Sequence, residues 1–126
     1  VEVTVGLRPG SARAAEAEAE GLTALAPAEA ARGADLVALL APDEHLPAIH
    51  AAVEPGLRPG AALVFAHGLC IHYGLIAPRR DLDVLLLAPK GPGAALRSLY
   101  TEGRGMVTLA AVAQDSTGEA WPLALA

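Results

Sequence analysis

The sequence predicts an α/β fold in which a mostly parallel β-sheet is covered by helices on both faces. Three apolar runs of strand length, "LVALLA", "ALVFA" and "VLLLA", are continuous rather than alternating, which is typical of strands buried on both sides. Segments with helical start and stop residues separate these runs. The 126 residues suit one domain, and a composition that is 53% hydrophobic but only 3% aromatic implies an aliphatic core.

The first third of the chain predicts two strands and two helices. Residues 1–7, "VEVTVGL", alternate and are rich in β-branched side chains, so we expect a strand there. "RPGS" is a turn, and Ser11 is expected to cap an Ala/Glu-rich helix that ends at Gly21. "LTAL" is a short strand or an extended link. "PAEAARG" is a short helix, because it begins with Pro and ends with Gly.

The rest of the chain continues the alternation. "DLVALLAP" predicts a strand and "DEHLPAIHAAVEPG" a helix, in whose first turn Pro47 must lie to be tolerated. "AALVFA" and "DLDVLLLAP" predict the next two strands, "GAALRSLYTEG" a short helix or a loop, and "GMVTLAAVAQ" a further strand. The last helix is expected to start near residue 116, with Asp115 or Ser116 as its cap.

Charge and composition argue against several classes of partner. The net charge is −5 and no basic run occurs, so nucleic-acid binding is not expected. No membrane span is expected, because the apolar stretches are far shorter than the ~20 residues that cross a bilayer. Cys70 is the single cysteine, which excludes an internal disulfide and favours a cytoplasmic protein. The chain opens directly on a strand, without Met or a signal-peptide pattern, which suggests part of a longer protein.

Polar or turn-forming residues follow each of four predicted strands. In an open parallel sheet, ligands bind outside the carboxyl ends of the strands, so these residues are expected to face one crevice. The four segments are Arg8-Pro9-Gly10-Ser11, Pro42-Asp43-Glu44, His67-Gly68 and Pro89-Lys90-Gly91-Pro92-Gly93.

Arg8 and Ser11 suggest a phosphate site. Dinucleotide-binding folds place an acidic residue at the end of the second strand to bind the ribose 2′-hydroxyl, whereas here the strand ends in arginine. A guanidinium and a serine at a helix start suit a 2′-phosphate, hence NADP rather than NAD, and Arg13 could add a third contact. The alternative is a solvated turn with a serine cap.

The remaining polar residues have two interpretations each. Lys90 could offer a charge to a phosphate or an oxyanion, or lie in an ordinary loop. His67 could act as an acid, a base or a hydrogen-bond donor, or be half-buried against a backbone carbonyl. Asp43 and Glu44 are either a helix N-terminal acid pair or cofactor neighbours. No zinc-binding spacing occurs, and His45 and His50 are interpreted as surface residues.

Taken together, these segments make the chain resemble the ketol-acid reductoisomerases. The matching stretches are "VTVGLRPGS", "ADLVALLAPDE", "EPGLRPGAALVFAHGLCIHYG", "DLDVLLLAPKGPG" and "AAVAQDSTGEAWPLALA", in family order. The resemblance implies a Rossmann-like three-layer NADP-binding domain over residues 1–126. It also implies Mg²⁺-dependent alkyl migration in 2-acetolactate or 2-aceto-2-hydroxybutyrate, followed by NADPH reduction, in branched-chain amino-acid biosynthesis.

The resemblance also implies roles for individual residues. The positions expected to contact the cofactor are Arg8, Ser11, Arg13, Asp43, Glu44, His45 and Gly93, and the expected catalytic residues are His67 and Lys90. Leu69, Cys70, Ala94 and Arg13 depart from the family pattern, which leaves open whether activity is altered.

Two blocks of the family pattern are missing from these residues. They are the first strand with its glycine-rich loop and the knotted helical domain that carries the Mg²⁺ ligands. We therefore expect an incomplete Rossmann-like domain with no metal ligands of its own, inactive by itself, and a homo-oligomer in the complete protein. The alternative is a non-catalytic relative that acts as a nucleotide-binding or interaction module.

Overall fold

The computed structural model describes all 126 residues, from Val1 to Ala126, as six strands alternating with six helices. The strands are β1 (Thr4–Gly6), β2 (Thr23–Leu25), β3 (Leu36–Leu39), β4 (Ala62–Phe65), β5 (Asp83–Pro89) and β6 (Thr108–Gln114). The helices are α1 (Arg13–Ala19), α2 (Pro27–Ala30), α3 (Leu46–Val53), α4 (Leu69–His72), α5 (Gly93–Thr101) and α6 (Ala120–Leu125). Short 3₁₀ turns, Asp43–His45 and Glu54–Gly56, flank α3.

The strands form two sheets. A four-stranded sheet has the order β3-β4-β5-β6, and β1 pairs with β2 in a separate parallel sheet. Strands β3, β4 and β5 are parallel, whereas β6 is antiparallel to β5. Helix α5 connects two strands that lie next to each other and run in opposite directions, so it is not a crossover between parallel strands. Where β5 ends and β6 begins, the backbone N–H of Lys90 donates to the Val107 carbonyl at 2.9 Å. The predicted α/β fold with a mostly parallel sheet is confirmed.

Strand β4 lies at the centre of the core and shows why its sequence is apolar without a break. All four of its side chains are buried. Leu63 and Phe65 face one side, in a cluster of 12 buried residues that includes side chains of α3 and α4. Ala62 and Val64 face the other side, in a smaller cluster completed by Ala120 of α6. Helices therefore cover both faces of the sheet, and the two faces require apolar residues at successive positions.

The ends of two helices differ from expectation. Helix α6 begins at Ala120, not near residue 116, because the amides and hydroxyls of Ser116 and Thr117 are hydrogen-bonded to Asp83. Helix α1 begins at Arg13, after Ala12 rather than directly after Ser11. The Ser11 hydroxyl still accepts a long hydrogen bond, 3.4 Å, from the Arg13 N–H.

His50 corrects a further expectation. It is 6% exposed, so the prediction that it lies on the surface is wrong, whereas His45 is exposed as predicted. Helix α3 turns His50 inward beside Leu46 and Val53, which are buried on the same face, because residues three or four apart share a side of a helix. None of the helices is both long enough and apolar enough to span a bilayer.

Candidate functional site

Three of the predicted site residues follow the aligned ends of neighbouring parallel strands. In the register of the sheet, Leu39 pairs with Phe65, and Phe65 pairs with Leu86. Asp43, His67 and Lys90 come a few residues later on the three chains. The sheet therefore carries them at one edge, where open α/β sheets bind ligands.

Asp43 and His67 are in direct contact. Nδ1 of His67 lies 2.7 Å from Oδ2 of Asp43, a distance typical of a charge-assisted hydrogen bond. The imidazole is 66% exposed and the carboxylate side chain 30% exposed. Oδ1 of Asp43 is buried without a hydrogen-bond partner. Sequence analysis assigned the two residues to the same edge but did not predict that they touch.

Cys70 makes a second connection between the same two loops. Its thiol is fully buried and donates to the backbone carbonyl of Asp43 at 3.5 Å. Burial, followed by the nearby Asp43 carboxylate, raises the pKa of the Cys70 thiol. Cys70 is therefore a neutral packing and hydrogen-bonding group that holds the loop after β3 against helix α4.

The ammonium group of Lys90 lies at this edge without a partner in the chain. The Lys90 side chain is exposed and forms neither a hydrogen bond nor an ion pair within the chain. A Cβ added at Gly93 would meet nothing within 4 Å, so the backbone at the start of α5 can be approached closely. Gly91 differs, because an added Cβ would lie 2.7 Å from Cε of Met106.

The turn from Arg8 to Arg13 lies apart from the other candidates. It follows β1 in the separate two-stranded sheet, and no hydrogen bond or ion pair joins it to Asp43, His67 or Lys90. The guanidinium groups of Arg8 and Arg13 are exposed and unpaired, with the Ser11 hydroxyl between them in sequence. A positive φ of 75° at Gly10 forms the turn. Two free guanidinium groups and a hydroxyl are a donor set that fits a phosphate.

Glu44 and His45 are exposed in the 3₁₀ turn that follows Pro42, and neither side chain has a partner within the chain. No cluster of three or more His, Cys, Asp or Glu side chains is arranged to hold a metal ion. The residues of this chain therefore do not fit a metal site.

A cavity lies at the opposite, amino edge of the sheet. It measures about 630 Å³, and its lining includes Asp35, Arg58, Asp83 and Thr117 but none of the predicted site residues. Two carboxylates at this edge already have partners. Asp35 forms an ion pair with Arg58, and Asp83 accepts hydrogen bonds from Ser116 and Thr117. Both carboxylates are therefore engaged in contacts within the chain.

Comparison with known proteins points to one family. Residues 1–126 match the family model described as "Acetohydroxy acid isomeroreductase, NADPH-binding domain". The ketol-acid reductoisomerase (NADP(+)) of Beutenbergia cavernae is 54% identical over 126 residues, which are 99% of this chain and 37% of that protein. The corresponding Kineococcus radiotolerans protein is 50% identical over 127 residues, with 100% of this chain and 37% of that protein covered.

A solved structure shows the same fold at lower identity. An NADH-preferring ketol-acid reductoisomerase from an uncultured archean superposes with a TM-score of 0.93 at 38% identity, over 99% of this chain and 40% of that one. The chain thus spans less than half the length of each of these relatives. Their names also differ in the cofactor, NADP(+) for two and NADH for the third.

Proposed function

The chain belongs to the ketol-acid reductoisomerase family, and we propose that it is the NADPH-binding part of an enzyme that makes 2,3-dihydroxy acids. The substrates are 2-acetolactate and 2-aceto-2-hydroxybutyrate. The reaction is an alkyl migration followed by reduction, in the cytoplasm, as a step in valine, leucine and isoleucine biosynthesis. The family match supports this proposal, as does the single sheet edge that carries Asp43, His67 and Lys90. The complete enzyme is a homo-oligomer.

The cofactor is held by loops at two places along its length. Arg8, Ser11 and Arg13 bind the 2′-phosphate, since their donors are free and exposed. The loop of Asp43, Glu44 and His45 runs beside the dinucleotide, and the open backbone at Gly93 lets the cofactor approach. NADPH supplies the hydride for the reduction.

His67 and Lys90 are the catalytic residues at the substrate end. The Lys90 ammonium stabilises negative charge on a substrate oxygen, and the exposed imidazole of His67 is within reach of a ligand in the crevice. Mg²⁺ acts in the family as a Lewis acid, but this chain has no cluster of ligands for it. We therefore expect no turnover from the 126 residues alone, and acetolactate-dependent NADPH oxidation from the full-length protein.

The cofactor preference rests on one observation, the unpaired guanidinium of Arg8 at the end of β1. The test compares NADPH and NADH binding by isothermal titration calorimetry in the full-length protein. Losing a hydrogen bond to a charged group costs about 1.5–3 kcal/mol. Arg8→Ala should therefore raise the Kd for NADPH roughly ten- to a hundredfold and leave the Kd for NADH nearly unchanged.

A matched control is Arg80→Ala, which removes an exposed arginine without a side-chain partner just before β5. It should change neither Kd. If Arg8→Ala weakens the binding of NADPH and NADH equally, or weakens the binding of neither, the 2′-phosphate assignment is wrong. If the wild-type protein prefers NADH, as the archaeal relative does, the proposed cofactor is wrong as well.

A further inference from the structure

We propose that Asp43 is the positioning residue of His67: its carboxylate fixes the imidazole as the Nδ1–H tautomer and leaves Nε2 as the nitrogen that meets the substrate. This inference rests on the proposed function, because it concerns how a catalytic residue of that reaction is oriented. The Nδ1 to Oδ2 distance of 2.7 Å carries it. A carboxylate can only accept, so the hydrogen between the two atoms belongs to Nδ1.

The surroundings of Asp43 make this contact more than a mobile surface pair. An exposed ion pair is ordinarily worth little, because both side chains can move into water. Here the carboxylate is mostly buried, and its Oδ1 is shielded from solvent without any other partner. The Cys70 thiol holds the Asp43 carbonyl, and the Pro42 carbonyl accepts from the N–H of His45 across the same turn. These contacts hold the backbone of the turn that carries Asp43, and the partial burial of the carboxylate limits the positions that it can take.

The topology explains why these two residues can meet. Strands β3 and β4 are parallel neighbours in register, so the loops that leave them lie side by side. One loop supplies Asp43 and the other supplies His67, with Cys70 only three residues further on. The hydrogen bond of one ring nitrogen determines which atom the other nitrogen presents to a ligand. A neutral His67 in this arrangement carries its lone pair on Nε2, and the side chain is 66% exposed.

The direct test is the tautomer of His67, read from ¹⁵N chemical shifts and two-bond ¹H–¹⁵N couplings in protein labelled with ¹⁵N-histidine. The spectra are recorded about two pH units above the ordinary histidine value of ~6.5, where a free imidazole is neutral. His67→Gln assigns the signal. We expect the wild type to show the Nδ1–H form and Asp43→Ala to show the tautomer mixture of a free imidazole. A wild-type His67 with the Nε2–H form or the free mixture would overturn the proposal.

Kinetics of the full-length protein separate positioning from simple folding effects. A positioned acid or base contributes about 10²–10⁴ to the rate, so Asp43→Asn should lower kcat roughly ten- to a hundredfold at saturating NADPH. The double variant Asp43→Asn with His67→Ala should be no slower than His67→Ala alone, because the two residues act as one unit. Additive losses would show that Asp43 acts independently of His67.

Asp35→Asn is the matched control. Asp35 is an exposed aspartate in an ion pair with Arg58 at the opposite edge of the sheet, and its substitution should leave the His67 tautomer and kcat unchanged. If the wild-type protein oxidises no NADPH with acetolactate, the proposed function fails, but the NMR spectra still decide whether Asp43 sets the tautomer. If turnover is normal and Asp43→Asn leaves kcat unchanged, the positioning role alone fails.

Discussion

Replacement of Asp83 by alanine should destabilise the fold by an amount that the structure lets us work out. Asp83 is 2% exposed at the start of β5. Its Oδ1 accepts from the Ser116 N–H at 2.7 Å, the Ser116 hydroxyl at 3.1 Å and the Thr117 N–H at 3.1 Å. Its Oδ2 accepts from the Thr117 hydroxyl at 2.6 Å. One carboxylate thus organises the connection between β6 and α6.

The four donors do not contribute equally. Ser116 and Thr117 are exposed residues, so their hydroxyls can turn to water when the carboxylate is removed. The two backbone N–H groups have less freedom, and each unsatisfied buried donor costs about 1–3 kcal/mol. We therefore expect Asp83→Ala to lower the free energy of unfolding by about 2–4 kcal/mol, and Thr117→Val, which removes one hydroxyl, by about 1 kcal/mol.

The assay is urea unfolding followed by circular dichroism at several pH values. Burial by itself would raise the pKa of Asp83, but the hydrogen bonds from Thr117 and Ser116 together outweigh it and hold the pKa below the ordinary value. Because the pKa of Asp83 is lower in the folded protein than in the unfolded chain, its ionised carboxylate stabilises the folded state at pH values above the unfolded-state pKa near 3.8. This stabilisation is lost as the pH falls through the folded-state pKa. Asp83→Ala should therefore lose less stability than the wild type on acidification.

Asp35→Ala provides the comparison, since it removes an exposed aspartate and should cost less than about 0.5 kcal/mol. Two results would show that the hydrogen bonds to Asp83 do not stabilise the fold as argued. One is an equally small loss of unfolding free energy in Asp83→Ala and Asp35→Ala. The other is a loss of stability at acidic pH in Asp83→Ala that is as large as in the wild type.

Two further predictions concern a buried histidine and a partly exposed arginine. Burial lowers the pKa of His50, and the negative charge of Glu54, 3.4 Å away, does not compensate. The free energy of unfolding should therefore fall as the pH drops below ~6.5. In His50→Gln it should depend less on pH between about pH 7 and 5. An unchanged slope would refute this. Arg79→Ala should lower the urea midpoint of unfolding, because its guanidinium donates to the carbonyls of Glu54 and Leu57, whereas Arg80→Ala should leave the midpoint nearly unchanged. Equal effects in chemical unfolding would contradict the role of Arg79.

The elements that the sequence predicts correctly are those whose conformation is determined by residues within the element or next to it. Residues 62–65 are apolar at every position, and both faces of β4 are buried. Pro47 lies in the first turn of α3, where its missing N–H costs nothing. Gly21 follows α1 with a φ of 77°. Each of these signals acts within a few residues, so it can be found without knowledge of the fold.

The errors come from hydrogen bonds between distant residues. The start of α6 is predicted too early because Asp115 and Ser116 are typical helix caps. In the structure Ser116 and Thr117 instead donate to Asp83, which is more than 30 residues away. His50 is predicted on the surface because it lies five residues from His45, a spacing at which two helical side chains do not share a face. Its burial depends instead on the packing of α3 against other parts of the chain. Helix α4 was not predicted, since four residues are too few to show a helical period.

The sequence by itself determined the class of fold, the mostly parallel sheet and the position of Asp43, His67 and Lys90 after its parallel strands, because each of these follows from the residues of a single segment. It did not reveal that the Arg8 turn follows a strand of a different sheet. Only the tertiary structure decided that β1 and β2 form their own sheet and that β6 runs antiparallel to β5. It alone paired Asp43 with His67. Such contacts depend on the register between strands, and register is settled by packing across the whole sheet rather than by any one segment.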